Sequence, residues 1–245
     1  MNDRMSLISN LKPTNLTLMK KAIFTLFAGI FTTVGFAQSN DFDDTLTKIA
    51  QEKDSTLAAM FSADSIQVDN QFKRKLMIAE FKDVATYPVI DAGTFSGVVP
   101  VEDITEIPDP NLEYKLLFEL VNFDSDTPSK LDASIVEVAR IINLHVASGI
   151  PLENISPVIV VHAGSLNAFT TNEFYNGKFK MDNPNMKLIG ELEKLGAKFI
   201  SCAQAMFFFE VDKEALLPMF KVSLTAQTIL SSYQMKGYVK YRINR

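Results

Sequence analysis

Residues 197–209, AKFISCAQAMFFF, contain both a strand of the predicted fold and a candidate reactive residue. An apolar run follows Gly196 and a short helix-like segment comes after Cys202, so we predict a buried strand that ends at this cysteine. In open α/β sheets, ligands and reacting groups collect at the carboxyl ends of the strands. Cys202 is the only cysteine of the chain and is the first candidate for a functional residue.

The segments around this stretch alternate between strand and helix patterns. The pattern predicts strands over residues 112–123, 157–161, 197–201, 220–222 and 238–243. Helix starts are predicted at a capping box of Ser129 with Asp132, at the Asn183-Pro184 pair and at Ser223. This order predicts a three-layer α/β/α domain with a mostly parallel sheet of about five strands, preceded by a helical N-terminal arm.

Residues 1–37 have the pattern of a signal peptide. Lys20-Lys21 precede the apolar run 22–34, and small residues stand at the positions that a signal peptidase recognises, with cleavage expected after Ala37. Met19 directly precedes the lysines and is the expected natural start. The alternative is a membrane anchor, but the run is shorter than the roughly 20 residues that a spanning helix needs. We therefore expect an exported, periplasmic protein without a membrane span after cleavage.

The mature chain is predicted to have two parts. Residues 38–110 form an arm, which is helical at first and then rich in proline and glycine. The arm is expected to pack on the main domain or on a neighbouring subunit, or alternatively to act as a lid. Residues 111–245 form the α/β domain.

Charge and composition exclude several classes of function. Removal of residues 1–37 leaves 20 basic and 28 acidic residues, a formal charge of about −8, which disfavours binding to nucleic acid or anionic lipid. No dinucleotide or P-loop fingerprint is present, and we predict no cofactor. No Gly-x-Ser-x-Gly elbow is present either, which argues against an α/β-hydrolase. Two histidines and one cysteine, far apart in sequence, make no recognisable metal site.

A single cysteine in an exported chain cannot form an internal disulfide. It must pair between chains, remain free or react. Burial as a small apolar side chain is the common alternative. A free thiol is a liability in an oxidising compartment, which favours a use for Cys202.

The turn after the strand 157–161 supplies the other candidate residues. His162 and Cys202 each follow a strand, so both are expected on one edge of the sheet, where the imidazole could activate the thiol. A hydrogen bond from His162 to its own loop is the competing interpretation. The turn formed by His162, Ala163, Gly164 and Ser165 could also offer backbone amides to an anion, and we add Gln204 as a further binding candidate.

The run Met206-Phe207-Phe208-Phe209 is interpreted as core or subunit interface. Together with the strongly apolar helices, it predicts that the protein is an oligomer. His145, near the end of a predicted helix, is interpreted as structural.

The segment from about Tyr114 to Arg245 resembles the DsrE/DsrF-like proteins of sulfur relay, and more closely their exported bacterial relatives of unassigned function. The resemblance rests on four segments: PVIVVHAGS, DNPNMKLIGELEKLGAKFISCAQAM, VDKEALLP and LTAQTILSSYQMKGYVKYRI. It covers a little over half of the chain.

This resemblance implies a homotrimer or homohexamer of α/β/α domains. In relay members, a cysteine at the position matching Cys202 accepts sulfane sulfur as a persulfide and passes it to a small sulfur-carrier protein. The relay proteins are cytoplasmic, whereas this chain has an export signal. The expected function is therefore sulfur binding or persulfide transfer through Cys202, and whether the protein is an enzyme stays open. The alternative is a non-catalytic protein that binds a small ligand, or serves assembly, with the same edge of the sheet.

Overall fold

The computed structural model describes residues 40–59 and 65–244. The chain divides into two compact units, Met1–Phe61 and Ser62–Arg245. In the first unit, the described part is helix α1, Asn40–Ala59. The signal peptide predicted for residues 1–37, and the start at Met19, lie outside the described residues. The second unit contains both the α/β domain and the later part of the predicted arm.

The second unit begins with helix α2, Ser65–Val84, and a 3-10 turn, Thr94–Ser96. The α/β domain follows with strands β1, Tyr114–Leu120; β2, Ile155–Val161; β3, Lys198–Cys202; β4, Lys221–Ser223; and β5, Val239–Ile243. Its helices are α3, Ala133–Ala147; α4, Asn172–Phe179; α5, Met186–Lys194; α6, Ala203–Phe208; and α7, Ala226–Met235. Further 3-10 segments lie at Leu152–Asn154, Ala163–Phe169 and Lys213–Ala215.

The five strands form one parallel sheet in the order β4-β3-β2-β1-β5. The first three crossovers move along the sheet in one direction and the last returns across it. Because such crossovers are right-handed, α3 and α5 cover one face and α7 covers the other. The predicted three-layer fold with a parallel sheet is confirmed.

The core lies between these layers. β1 and β2 are central strands with helices on both sides, so their sequences are almost continuously apolar, as expected for buried parallel strands. Phe118 and Ile159 are fully buried in the sheet. Each such side chain contributes about 1.5–3 kcal/mol through its burial.

Three predicted helix starts are wrong in position. α3 begins after Asp132, whose carboxylate accepts hydrogen bonds from the amides of Ser134 and Ile135, so Asp132 rather than Ser129 caps this helix. α7 is capped by the hydroxyl of Thr225, because Ser223 lies in β4. The predicted start at Asn183-Pro184 is also early.

Asn183 stabilises a loop instead of capping a helix. Its amide group donates to the carbonyl oxygens of Ala168 and Thr170, at 2.9 and 2.8 Å. Its side-chain oxygen accepts from the backbone of Asn185, the residue that precedes α5. The side chain that looks like a cap in sequence is thus used for a tertiary contact.

The buried side chain of Asn143, on α3, holds the segment that follows α2. Its Oδ1 accepts from the amides of Val89 and Ile90, at 3.0 and 3.1 Å. Its Nδ2 donates to the carbonyls of Ile90 and Ser96, both at 2.8 Å. This part of the predicted arm therefore packs on the α/β domain. Among the described residues, no helix has the length and hydropathy needed to cross a membrane.

Candidate functional site at the carboxyl ends of the strands

The strand register places the backbones of His162 and Cys202 at neighbouring positions of the carboxyl edge of the sheet, and within the described residues no hydrogen bond joins their side chains. β2 and β3 are neighbours, and their register pairs Val161 with Ser201. His162 and Cys202 are the next residues on the two chains. Two residues that are 40 positions apart in sequence are therefore adjacent at the end of two parallel strands.

Strand register also determines which face of the sheet carries the site. Glu119 on β1 pairs with Val160 on β2, and Val160 pairs with Ile200 on β3. Side chains alternate between the two faces, so Glu119, His162 and Cys202 belong to the same face.

This face is the one that α7 covers. The rings of Tyr114 and Tyr241 meet His145 of α3 on the opposite face. His145 lies in the last turn of α3, and its Nδ1 is 2.7 Å from the carbonyl oxygen of Ile141. These contacts are consistent with a structural role for His145.

Glu119 is the centre of a charged cluster that the sequence analysis did not identify. Its side chain is buried, with 5 % of its surface exposed. Oε1 is 3.1 Å from Nε2 of His162, and Oε2 is 3.2 Å from Nζ of Lys240. Arg242 lies further away, with its Nε 3.9 Å from Oε2. The carboxylate is thus buried together with its cationic and hydrogen-bonding partners.

These partners keep Glu119 ionised. Burial alone raises the pKa of the carboxyl group, but hydrogen bonds from Lys240 and His162, and the charges of Lys240 and Arg242, outweigh burial and lower the pKa below its usual value. The signal in the sequence is a single acidic residue inside the apolar run KLLFELV. A buried charge in such a run requires a partner.

The contact with Glu119 determines the tautomer of His162. An ionised carboxylate can only accept hydrogen bonds, so Nε2 carries the proton and donates it. Neutral imidazole then has a free lone pair on Nδ1, which can act as a base. His162 therefore has a partner on a neighbouring strand, and the competing interpretation of a bond within its own loop does not describe this geometry.

Cys202 is the last residue of β3 and the residue before α6. Its thiol is free and buried, with 4 % exposure. Gln204, on α6, is exposed. The two residues thus lie close in sequence but differ in their access to solvent.

The turn after β2 is a 3-10 helix, Ala163–Phe169, rather than an open loop. Ala163 has a positive φ of 53°, which turns the chain sharply away from the strand. The amide of Ser165 donates to the carbonyl of Val121, at 3.3 Å, and is thus engaged within the protein. A Cβ on Gly164 would lie 3.7 Å from the amide nitrogen of Phe123, so the turn packs against the chain that leaves β1.

Ser165 has an unusual side chain. Ser165 is fully buried, and its hydroxyl oxygen has no hydrogen-bond partner within the described part of the chain. A buried hydroxyl without a partner costs about 1–3 kcal/mol. This cost is removed if a bound molecule supplies the missing hydrogen bond.

The run 206–209 is divided between core and surface. Met206 is buried, whereas Phe207 and Phe208 are among the most exposed large apolar side chains, at 80 and 76 %. The interpretation of these two phenylalanines as core is wrong, because α6 directs them away from the sheet. An interface role for them stays a prediction. Within residues 40–59 and 65–244, no group of three or more histidine, cysteine, aspartate or glutamate side chains is arranged to hold a metal ion.

Comparisons with known proteins leave the family open. No family model matches the chain, and no curated protein matches it. Among solved structures, the chain is similar to a protein of unknown function from Methanobacterium thermoautotrophicum, with 17 % identity and a TM-score of 0.40. The match covers 53 % of this chain and 99 % of the other. A likeness of this extent carries no inference about function.

Proposed function

We propose that this protein is an exported, DsrE-like protein that binds sulfane sulfur as a persulfide on Cys202. The observation that carries the proposal is the position of Cys202 beside His162, whose Nε2 is held by Glu119 at 3.1 Å. A cysteine reacts as its thiolate. A neighbouring base with a defined tautomer is the group that can take the thiol proton.

The proposed reaction conserves atoms and electrons. His162 accepts the proton of Cys202, and the thiolate attacks the outer sulfur of a small persulfide donor, R–S–SH. The S–S bond of the donor breaks, its electron pair leaves on R–S⁻, and Cys202 becomes Cys–S–SH. His162 returns its proton to the leaving thiolate, so that R–SH is released and the imidazole is neutral again.

Burial of the thiol limits the size of the donor. Cys202 is covered by the protein, so a small donor such as a polysulfide or an alkyl persulfide fits the first step better than a folded protein does. Onward transfer to a small sulfur-carrier protein requires that α6, a helix of six residues, expose the sulfur. Periplasmic location and assembly into a homotrimer or homohexamer belong to the same proposal.

The test is the mass of the folded protein after exposure to polysulfide and removal of the excess. We expect a gain of about one sulfur atom in the wild type and none in Cys202→Ser. Glu119→Gln keeps the shape of the side chain but weakens the hold on His162, so it should slow loading about tenfold or more. Glu113→Gln removes an exposed carboxylate beside Lys115 and is the matched control, which should load at the wild-type rate.

Two outcomes would contradict the persulfide proposal. Loading that survives Cys202→Ser places the sulfur elsewhere. Equal loading rates in Glu119→Gln and Glu113→Gln would show that the histidine-carboxylate pair has no role in loading.

The second candidate function is retention of a small ligand without thiol chemistry. The buried, unpartnered hydroxyl of Ser165 favours it, because a ligand can complete the hydrogen bonding of that group. A thermal-shift screen of small anions, with thiosulfate included, separates the two candidates. Stabilisation that persists in Cys202→Ser and disappears in Ser165→Ala supports ligand binding, whereas stabilisation that requires Cys202 supports thiol chemistry.

A further inference from the structure

The segment VPVEDITEI, residues 99–107, is the most unusual surface of the second unit. We name it the acidic arm. Its four large apolar side chains are all exposed: Val99, Val101, Ile104 and Ile107, at 40, 66, 59 and 68 %. Isolated exposed apolar residues are common, but four within nine residues of extended chain indicate a missing partner.

Both ends of the acidic arm are fixed by hydrogen bonds. Before it, Thr86 and Val98 exchange two backbone hydrogen bonds of 2.9 Å. After it, the carbonyl of Pro110 accepts from Asn154 and the carbonyl of Asp109 accepts from Tyr114, both at 2.8 Å. The middle of the arm is therefore part of a segment that is fixed at both ends. Fewer conformations are lost when such a segment binds a partner, which lowers the entropic cost of binding.

The charges in and around the acidic arm have a counterpart in the carboxyl-terminal segment of the sequence. Residues 84–113 contain six acidic residues and no lysine, arginine or histidine. Residues 215–245 contain five basic residues and no acidic residue. Within the described residues, none of the ion pairs includes an acidic group of the arm.

The basic segment contains an open edge of the sheet. β5 is the last strand in the sheet order and pairs with β1 alone among the described strands. Both cations and exposed apolar side chains occur on β5 and in the two residues at the end of α7 that precede it, and we name the set the basic edge: Met235, Lys236, Val239, Lys240 and Arg242. Met235 and Val239 are exposed at 89 and 58 %. Each surface therefore combines exposed apolar side chains with charged groups, and the charges of the two surfaces are opposite in sign.

We propose that the acidic arm of one copy packs on the basic edge of a second copy of this chain. Ile104 and its apolar neighbours would cover Val239 and Met235, while Glu102 and Glu106 would meet Lys236 and the exposed guanidinium of Arg242. Complementary charge orients the two copies and raises the rate of association. The contact is self-association through two different surfaces, so each copy offers one arm and one edge.

The other exposed apolar patch fits the arm less well. Phe207 and Phe208 line a groove of about 750 Å³ whose charged lining residues are Glu210, Asp212 and Lys213. Two carboxylates against one lysine leave the groove with a net negative charge, the same sign as the arm, which disfavours the contact. Charge therefore selects the basic edge over the phenylalanine patch.

The backbone of the arm limits how it can lie along β5. Pro100 and Pro108 have no N–H group, and Asp103 has a φ of 59°, which is incompatible with an extended strand. The longest stretch of the arm that can pair with the edge through its main chain is residues 104–107. Side-chain contacts and charge thus carry most of the proposed interface.

Two variants test the proposal, and both change only exposed side chains outside the candidate site. The arm variant combines Glu102→Lys with Ile104→Lys, and the edge variant combines Lys236→Glu with Val239→Glu. By light scattering at micromolar concentration, we expect the wild type to be an oligomer and each variant to be a monomer. Phe207→Glu adds a charge to the other apolar patch and should assemble as the wild type does, whereas a monomeric Phe207→Glu would overturn the proposal in favour of an interface at the phenylalanines.

Mixing provides the decisive measurement. The arm variant keeps an intact edge and the edge variant keeps an intact arm, so an equimolar mixture should form a heterodimer through one wild-type contact. A monomeric wild type, an arm variant that still assembles, an edge variant that still assembles, or a mixture that stays monomeric would each overturn the proposal.

Persulfide loading of Cys202 distinguishes this inference from the proposed function. The arm and edge variants leave Cys202, His162 and Glu119 unchanged. Loading that fails in a protein that assembles counts against the thiol chemistry only. A wild type that loads sulfur and assembles, while the arm and edge variants assemble equally well, counts against the arm and edge only.

Discussion

The carboxyl edge of the sheet buries a charged side chain, whereas the acidic arm of the same domain exposes apolar side chains. At the sheet edge, the charge of Glu119 is buried, and His162 and Lys240 of the same copy satisfy it. In the arm, apolar side chains such as Ile104 are exposed, and nothing within the described residues covers them. The first surface is complete in a single copy, whereas the second requires another molecule. Changes at the sheet edge should therefore alter the stability of one copy, and changes in the arm should alter assembly.

The largest effect on stability is expected in the segment before the acidic arm, which Asn143 holds. Asn143→Ala leaves two buried amides and two carbonyls without their partner, which should lower the free energy of unfolding by about 3 kcal/mol. Urea unfolding measures the change. Asn154→Ala, which removes one exposed bond to Pro110, is the matched control and should cost about 0.5 kcal/mol or less. Similar losses in the two variants would show that Asn143 does not hold residues 89–96.

The next effect concerns the buried charge. Glu119→Gln removes the carboxylate that faces Lys240, and we expect a loss of about 2 kcal/mol, since the cations are partly exposed and water moderates the cost. Glu113→Gln, at the other end of β1, should change stability by about 0.5 kcal/mol or less. If urea unfolding gives equal values for the two variants, the Glu119 cluster contributes nothing beyond a surface ion pair.

Acid should remove the contribution of Glu119 in a defined range of pH. Burial raises the pKa of this carboxyl group, but the hydrogen bonds and charges of its partners prevail, so the folded-state pKa lies below the usual value. A depressed pKa stabilises the folded state above the unfolded pKa of about 4.3, and this stabilisation is lost as the pH falls through the folded pKa. The difference in unfolding free energy between wild type and Glu119→Gln should therefore shrink as the pH falls from 6 to 3. A constant difference would contradict the assignment.

The smallest effect is expected in the exposed part of the arm. Ile104→Ala should change the unfolding free energy of the monomer by about 0.5 kcal/mol or less, because the side chain is exposed. Ile159→Ala, at a fully buried position of β2, should cost about 2–5 kcal/mol. Both changes in unfolding free energy are measured by urea unfolding at a protein concentration low enough to keep the protein monomeric. A large cost for Ile104→Ala would mean that the arm packs within its own copy.

The order of strands and helices could be predicted, since apolar runs with strand length alternate with runs of helical period. Exact helix starts could not. Ser129, Ser223 and Asn183 have the chemistry of helix caps, yet Asp132 and Thr225 cap α3 and α7, and Asn183 holds a loop. Any small polar residue near a helix start can bond a free amide, and local sequence does not show which one the fold will use.

Local sequence by itself determined the parallel α/β architecture of this protein, and it placed His162 and Cys202 at the ends of their strands. Only the tertiary structure decided that β2 and β3 are neighbours, that Lys240 lies opposite Glu119, and that Phe207 and Phe208 face away from the core. The physical reason is the range of the interactions. Periodicity and turn chemistry act over a few residues, whereas strand register and charge pairing join residues more than a hundred positions apart, as Glu119 and Lys240 are.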